Sequence, residues 1–344
     1  MDDDVMLLAA VSGRARATVD RVGEQIVGQE AVVKWLVVTA LAGGHALLVG
    51  VPGLGKTKVV RALAGAMGGD FSRVQFTPDL MPGDVVGSEL LMEGAAGGAS
   101  GREMVFRAGP VFANWVLADE INRTPPRVQS ALLEAMQEGQ VTSGGVGHAL
   151  PEPFMVVATQ NPIEQEGTYP LPEAELDRFM VQLSVGYPDA ASEVAIAVGL
   201  EGDHAAEAER ARGEVWSLEG EDGLLAARGL VRRVPVAQSV AERAVAVVRG
   251  TRPGESGGDD GLTSWVAERV AWGAGPRGAQ HLVMAARGLA VLEGEPTVLD
   301  RHVMEAARVV LPHRLVLGYG AVAEGVTEQA VVERVLEAVM KGPA

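Results

Sequence analysis

Hydrophobic residues fall along the first half of this chain in short runs, and each run stops at glycine or charge. His45 to Val51 (HALLVGV) is apolar and ends in glycines, as a buried strand does. Phe71 to Phe76 alternates and predicts a second strand. Trp115 to Ala118 predicts a third, closed by Asp119-Glu120; Phe154 to Thr159 predicts a fourth and Phe179 to Val185 a fifth. A helical pattern over Glu30 to Leu41 precedes the first strand. Another follows the third: Val128, Ala131, Leu132, Ala135 and Met136 recur at helical spacing, with Thr124 as cap, Pro125 in the first turn and Gly139 just past the end. Strands alternating with helices predict an α/β fold, a parallel five-stranded sheet flanked by helices.

Two stretches break the pattern. Gly83 to Phe106 is glycine-rich and poorly periodic, and Gln140 to Pro151 carries Gly144-Gly145, a hairpin signal. After Pro188 the strands cease. Glu201 to Asp222 is acidic, and Thr251 to Gly261 is a second loose stretch. Around them lie helical patterns at Val240–Arg249, Gln280–Glu293, Asp300–Leu311 and Glu328–Met340. The expectation is an α/β core over residues 1–188 and a smaller all-helical domain over 189–344.

Composition narrows the function classes. Hydrophobic residues make up 47% and charged residues 22%, an ordinary globular balance. The net charge of −16 argues against a large nucleic-acid surface, whose affinity comes mostly from phosphate neutralisation. With no cysteine there is no disulfide, thiolate nucleophile or cysteine zinc site. The most apolar stretch, Trp35 to Val51, is broken by Gly43, Gly44 and His45 and falls short of the roughly 20 residues a membrane helix needs. Asp2, Asp3 and Asp4 are acidic where a secretory signal is basic, so the expected location is the cytoplasm, without membrane insertion.

The chemistry is concentrated at the strand ends. Gly50-Val51-Pro52-Gly53-Leu54-Gly55-Lys56-Thr57 matches G-x-x-x-x-G-K-[ST], between an apolar strand and a helical pattern. Backbone N–H groups freed by the glycines converge on phosphates, Lys56 reaches the β- and γ-phosphates, and the Thr57 hydroxyl ligates magnesium. The expected ATP contacts are Gly50, Pro52, Gly53, Leu54, Gly55, Lys56, Thr57 and Lys58. Asp119 is placed to hold hydrated magnesium and Glu120 to act as general base. Asn161, after the fourth strand, is placed to orient the attacking water. Two arginines carry open readings. Arg178 is either a finger reaching a neighbouring subunit's ATP or a surface residue paired to Asp177 or Glu175. Arg277, after Gly275-Pro276, either folds over the phosphates from the lid side or is an exposed first-turn arginine.

Together these residues resemble the MoxR family of AAA+ ATPases. The most specific stretch runs from Leu117 to Thr142 (LADEINRTPPRVQSALLEAMQEGQVT). Ile26 to Glu30, Gln75 to Asp84, Ala158 to Pro162, Leu171 to Phe179 and Leu311 to Arg314 support it. The family often has serine where this chain has Gly275. The resemblance implies an AAA+ core with a helical lid, assembled as a ring, usually hexameric. It implies that Asn161 is sensor 1, Arg178 the arginine finger and Arg277 sensor 2, and that Ile26, Val27, Gly28 and Gln29 form part of the adenine pocket. It implies an insert at about 84–106 and a hairpin at about 140–153 lining the pore or its mouth. It also implies an ATP-driven, chaperone-like role with a protein client and a partner carrying a von Willebrand factor A domain, often in metal insertion or complex assembly. Two alternatives stand beside it. One is a nucleic-acid motor, although the insert and hairpin offer only Arg102, Arg107 and His148 as cationic groups. The other is an ATP-gated scaffold with little turnover, against which the presence of Glu120 and Asn161 argues.

Overall fold

A computed structural model of the chain describes residues 2–93, 102–163, 167–198, 215–220, 223–255 and 260–341. At its centre are β1 (Ala46–Gly50), β2 (Phe71–Gln75), β5 (Trp115–Asp119), β8 (Met155–Gln160) and β9 (Val181–Val185). They form a parallel sheet in the order β2-β5-β8-β1-β9. Because all five run the same way, Gly50, Asp119 and Gln160 come together at one end and the residues before β9 lie at the other.

Side-chain alternation divides the sheet between two cores. Leu48, Trp115, Leu117 and Val157 pack with α2 (Glu30–Ala42) and α3 (Lys56–Met67). Leu47, Val74, Phe76, Val116 and Ala158 pack on the opposite face, against Val128, Leu132 and Met136 of α5 (Pro126–Glu138). That helix stops at Gly139, whose φ of 64° suits a left-handed C-cap. Its start differs from the expected one. Pro125 is the cap residue, and the Thr124 hydroxyl is buried without a partner, one position too early to reach the first free amides.

Both irregular stretches contain hairpins. β6 (Gln140–Ser143) and β7 (Val146–Ala149) pair antiparallel across Gly144 and Gly145, at φ 55° and 80°. Positive φ at both central residues matches the twist of the flanking strands and requires little of glycine. The earlier stretch forms a short helix, α4 (Pro82–Val86), then β3 (Gly87–Glu93) and β4 (Arg102–Ala108), paired antiparallel. Its sequence shows no period because Leu90, Leu91, Met92, Met104 and Val105 are exposed; neither face of the ribbon is buried as an ordinary strand's is. The two hairpins touch where Phe106 stacks on His148 at 3.9 Å.

After α6 (Glu173–Leu176), β9 and α7 (Ala190–Ala197), the lid follows. It consists of α8 (Leu224–Arg233), α9 (Gln238–Gly250), α10 (Asp260–Arg269), α11 (Pro276–Glu293), α12 (Asp300–Val310), α13 (Tyr319–Ala323) and α14 (Glu328–Lys341), with a small ribbon of β10 (Val270–Trp272) and β11 (Val316–Leu317). Most of the acidic stretch Glu201 to Asp222 lies outside the described residues. Lid and sheet share one continuous apolar core through α2. Gly288 permits this: a Cβ there would sit 3.0 Å from the Val38 carbonyl oxygen. The N-terminal helix α1 (Asp2–Gly23) joins the same core and donates Ser12 Oγ and Arg16 Nε to the Leu292 carbonyl at the end of α11, at 3.2 and 3.0 Å.

Candidate functional site

The loop between β1 and α3 turns at Gly53 and Gly55, with φ of 84° and 73°. Both angles lie in the left-handed region that glycine enters freely, and both glycines face open space. The loop delivers the chain into the N-terminus of α3, where unpaired amides and the helix dipole favour anions. Lys56 opens that helix. Its ammonium donates to the Gly50 carbonyl, closely, and to the Gln160 carbonyl at 3.4 Å. Burial lowers its pKa, against the raising influence of Asp119 and Glu120. Lys58 follows in the same turn, while Pro52 and Leu54 complete the loop.

Asp119 stands beside this loop at the end of β5. The Thr159 hydroxyl donates to its Oδ1 at 2.6 Å, and the Thr57 hydroxyl lies 3.4 Å from its Oδ2. Oδ2 also accepts from Arg73 Nε at 3.1 Å and Nη2 at 2.7 Å. Glu120 has φ of 59°, the one non-glycine residue in the left-handed region among those described. Its N–H donates to Thr159 Oγ at 2.8 Å. Its Oε2 accepts from Gln75 Nε2 at 2.9 Å and lies 3.2 Å from Arg123 Nε. Asn161 is buried at the end of β8; its Oδ1 accepts from the Ile163 N–H at 3.1 Å, and its Nδ2 has no partner among the described residues.

The segment Ile26-Val27-Gly28-Gln29 closes the same region from the side. Gln29 Nε2 donates to the Leu54 carbonyl at 2.6 Å, tying the segment to the phosphate loop. Gly28, at φ 78°, lies so close to Pro188 and Ser192 that a Cβ would come within 3.1 Å of each. The structure therefore brings together the phosphate loop, Asp119, Glu120, Asn161 and the 26–29 segment.

It does not bring Arg178 and Arg277 to them. The Met180 N–H donates to the His45 carbonyl at 2.8 Å, which fixes Arg178 at the start of β1 rather than at its phosphate end. The five residues of β1 place about 16 Å between those ends. Arg277 lines the same cleft of ≈ 210 Å³, with His45, Gln137, Arg178 and His281. Arg277 thus stands beside Asp177, at the end of the sheet opposite its own chain's phosphate loop. Arg277 Nη1 lies 3.5 Å from Asp177 Oδ2, and Arg314 Nε donates to Asp177 Oδ1 at 2.8 Å. Among the described residues Arg178 makes no ion pair, so the pairing to Asp177 or Glu175 is not found.

Four residues of this region carried no role in the sequence. Arg73 was visible only as a polar position of an alternating strand, while Gln75, Thr159 and Arg314 stood within segments that carried the family resemblance but were given no part of their own. Arg314 is buried in the lid, yet it donates to the carbonyls of Asp177 and Phe179 at 3.1 and 2.7 Å and fixes the backbone on either side of Arg178.

The fold and this site define a P-loop ATPase of the AAA class. Residues 45–181 match the ATPase family associated with various cellular activities, and residues 262–335 match the AAA lid domain. The chain is 43% identical over 316 residues to Chaperone MoxR1 of Mycobacterium tuberculosis, covering 91% of this chain and 78% of that one. It is 33% identical over 301 residues to Protein MoxR of Paracoccus denitrificans, covering 85% of each. A solved structure from Cytophaga hutchinsonii, described as an ATPase, superposes with a TM-score of 0.85 at 37% identity and 96% coverage of both chains. The chain belongs to the MoxR family of AAA+ ATPases, and it is an ATP hydrolase with a helical lid.

Proposed function

We propose that this ATPase remodels or matures partner proteins in the cytoplasm, as a ring, most simply a hexamer, whose active sites are completed between subunits. The observation that carries this reading is the separation of Arg178 and Arg277 from their own phosphate loop. Two cations beside one cleft, remote from the chain's own anion site, suit the γ-phosphate of an adjacent copy.

Within one subunit the residues suit ATP with magnesium. Among the described residues, Lys56 is a buried cation whose ammonium has only backbone carbonyls as close partners, and the buried Nδ2 of Asn161 is a donor without a partner. A bound triphosphate and its attacking water answer both needs. The hydroxyl of Thr57 and the carboxylate of Asp119 form a hard oxygen set suited to magnesium, which would supply charge neutralisation at the phosphates. Glu120 takes the proton from the attacking water, and Asn161 orients it. Gly50, Pro52, Gly53, Leu54, Gly55 and Lys58 cradle the phosphates, while Ile26, Val27, Gly28 and Gln29 hold the base. Arg178 and Arg277 of the neighbour stabilise charge on the transferred phosphoryl group, and losing them after hydrolysis shifts one subunit against the next.

The exposed apolar ribbon of β3 and β4 suits a polypeptide client better than nucleic acid, as does the net charge of −16. A partner carrying a von Willebrand factor A domain, with metal insertion or complex assembly as the outcome, fits that client class. Mixing two inactive variants tests the shared site. Arg178→Ala and Lys56→Ala each lack turnover alone; mixed in equal amounts, they recover roughly a quarter of wild-type ATPase, the fraction of heterologous interfaces with both groups intact. No recovery in mixed rings shows that Arg178 serves its own chain and overturns the reading.

A further inference from the structure

Asp119 already has a cation on it. In strand register Arg73 lies opposite Leu117 and Gln75 opposite Asp119, so Arg73 and Gln75 of β2 lie on the same face of the sheet as Asp119 of β5. From there the Arg73 guanidinium places Nε and Nη2 on a single oxygen, Oδ2, at 3.1 and 2.7 Å. The other oxygen is taken by Thr159 at 2.6 Å. Oδ2 is also the oxygen nearest the Thr57 hydroxyl, at 3.4 Å, so it is the one turned toward the proposed metal position.

The same guanidinium reaches further. Nη2 donates to Gln75 Oε1 at 2.8 Å, which leaves the Gln75 amide nitrogen to donate to Glu120 Oε2 at 2.9 Å. Arg73 therefore bridges the metal-facing carboxylate and the group that holds the base. β2 is an edge strand, and the Arg73 side chain is 44% exposed, so it has room to swing into solvent.

We propose that Arg73 is a built-in competitor for the magnesium position: it pairs with the Asp119 oxygen turned toward that position, and magnesium arriving with nucleotide must displace it. This rests on the magnesium–ATP reading above. Displacement also removes the bond that orients the Gln75 amide, one of two contacts on Glu120 Oε2; the other, Arg123 Nε at 3.2 Å, is untouched. Arg73 is thus a positioning residue that sets how much magnesium the site needs. The carboxylate is buried and the guanidinium is partly exposed and forked on one oxygen, which makes the pair strong enough to register while leaving Arg73 a route into solvent.

The test is binding, without turnover. A fluorescent, non-hydrolysable ATP analogue is titrated with magnesium chloride against the wild-type protein, Arg73→Gln and Arg73→Lys, with a parallel series in EDTA. The expected result is that Arg73→Gln lowers the half-saturating magnesium concentration about 3- to 10-fold. Its affinity in EDTA stays near wild type, which separates the effect from a general loss of fold. Arg73→Lys, which keeps the charge but cannot bridge Asp119 and Gln75 together, falls between the two. Should Arg73→Gln fail to fold by circular dichroism, the lysine variant decides by the same sign. A half-saturating concentration that is unchanged or higher in the variants overturns the proposal and leaves the magnesium reading standing. Wild-type binding that is the same in EDTA overturns both.

Discussion

Glu120 sits at φ 59°, a conformation that costs an L-residue about 1–2 kcal/mol and needs compensation nearby. Thr159 supplies it. Its one hydroxyl accepts from the Glu120 N–H at 2.8 Å and donates to Asp119 Oδ1 at 2.6 Å, locking both acidic residues with a single side chain. Thr159→Val keeps the shape and removes both bonds, leaving a buried carboxylate oxygen and an amide short of partners. The expected destabilisation is about 1–3 kcal/mol by denaturant midpoint. The expected fall in turnover is about 10- to 100-fold, because general-base catalysis contributes 10²–10⁴ and the base is misaimed rather than lost. Wild-type turnover with the same destabilisation would show that Thr159 serves only the fold. This residue also marks the limit of sequence reading at this scale. Lys56, Thr57, Asp119 and Glu120 are legible because their chemistry is local to one loop or strand end. Thr159, Arg73 and Arg314 act on residues 40, 46 and 137 positions away, and only strand order and lid packing bring those pairs together.

Among elements, four of the five sheet strands were legible as short apolar runs, because parallel strands are buried on both faces, and the edge strand β2 was legible by its alternation. α1 was not. Its buried positions include Ser12 and Thr18 as well as Leu8, Val11, Ala15 and Val22, so polar residues blur its apolar stripe. Their hydroxyls reach groups far along the chain: Thr18 Oγ donates to the Arg14 carbonyl one turn back at 2.9 Å but also accepts from Trp216 Nε1 at 2.9 Å, and Ser12 Oγ donates to the Leu292 carbonyl. The ribbon of β3 and β4 was read only as an irregular insert because its exposure removes the alternation that marks a strand. What anchors it is aromatic. Phe106 meets Phe112 edge-on at 5.6 Å and stacks on His148 of β7 at 3.9 Å. Aromatic pairs of this kind contribute about 0.5–1.5 kcal/mol each. Phe106→Ala removes both, so amide exchange across residues 87–92 and 104–108 is expected to accelerate about 10-fold or more, while β5 and β8 keep their protection. Exchange unchanged in the ribbon would mean that the backbone ladder alone holds it.

At the scale of the whole molecule, the seam between sheet and lid is built on histidines that must stay neutral. His45 Nδ1 accepts from the Val156 N–H at 3.0 Å, leaving Nε2 to donate to the Met136 carbonyl at 3.3 Å. His281 Nδ1 accepts from Arg314 Nη2 at 2.5 Å, and His313 Nε2 lies 3.1 Å from the Phe179 carbonyl. Burial is the first cause that lowers all three: His45 to about 4, His281 to about 3, and His313 well below its ordinary value. Arg314, itself pushed down to about 10 by burial, adds repulsion to His281 and His313, and Arg228 adds it to His45. The sign of the linkage follows. Below the unfolded histidine pKa of about 6.5 the unfolded chain takes up protons that the folded chain refuses, so this stability is complete above that pH and is lost as pH falls toward 4. Between pH 7 and 5.5 His45 and His281 each remove about 1 kcal/mol, and His313 acts in the same direction. Urea midpoints at the two pH values measure it directly. His281→Gln, which keeps an acceptor for Arg314 but cannot titrate, should reduce the pH dependence by about 1 kcal/mol over this range. A midpoint that does not move over this range would mean that these histidines take up protons in the folded seam. The same acidification is expected to loosen the lid first, because Arg314 holds the backbone around Arg178 through contacts that a protonated His281 or His313 would oppose. Turnover should then fall at a higher pH than global unfolding, and the gap between the two curves measures how far the seam, rather than the sheet, positions the arginines for a neighbouring site.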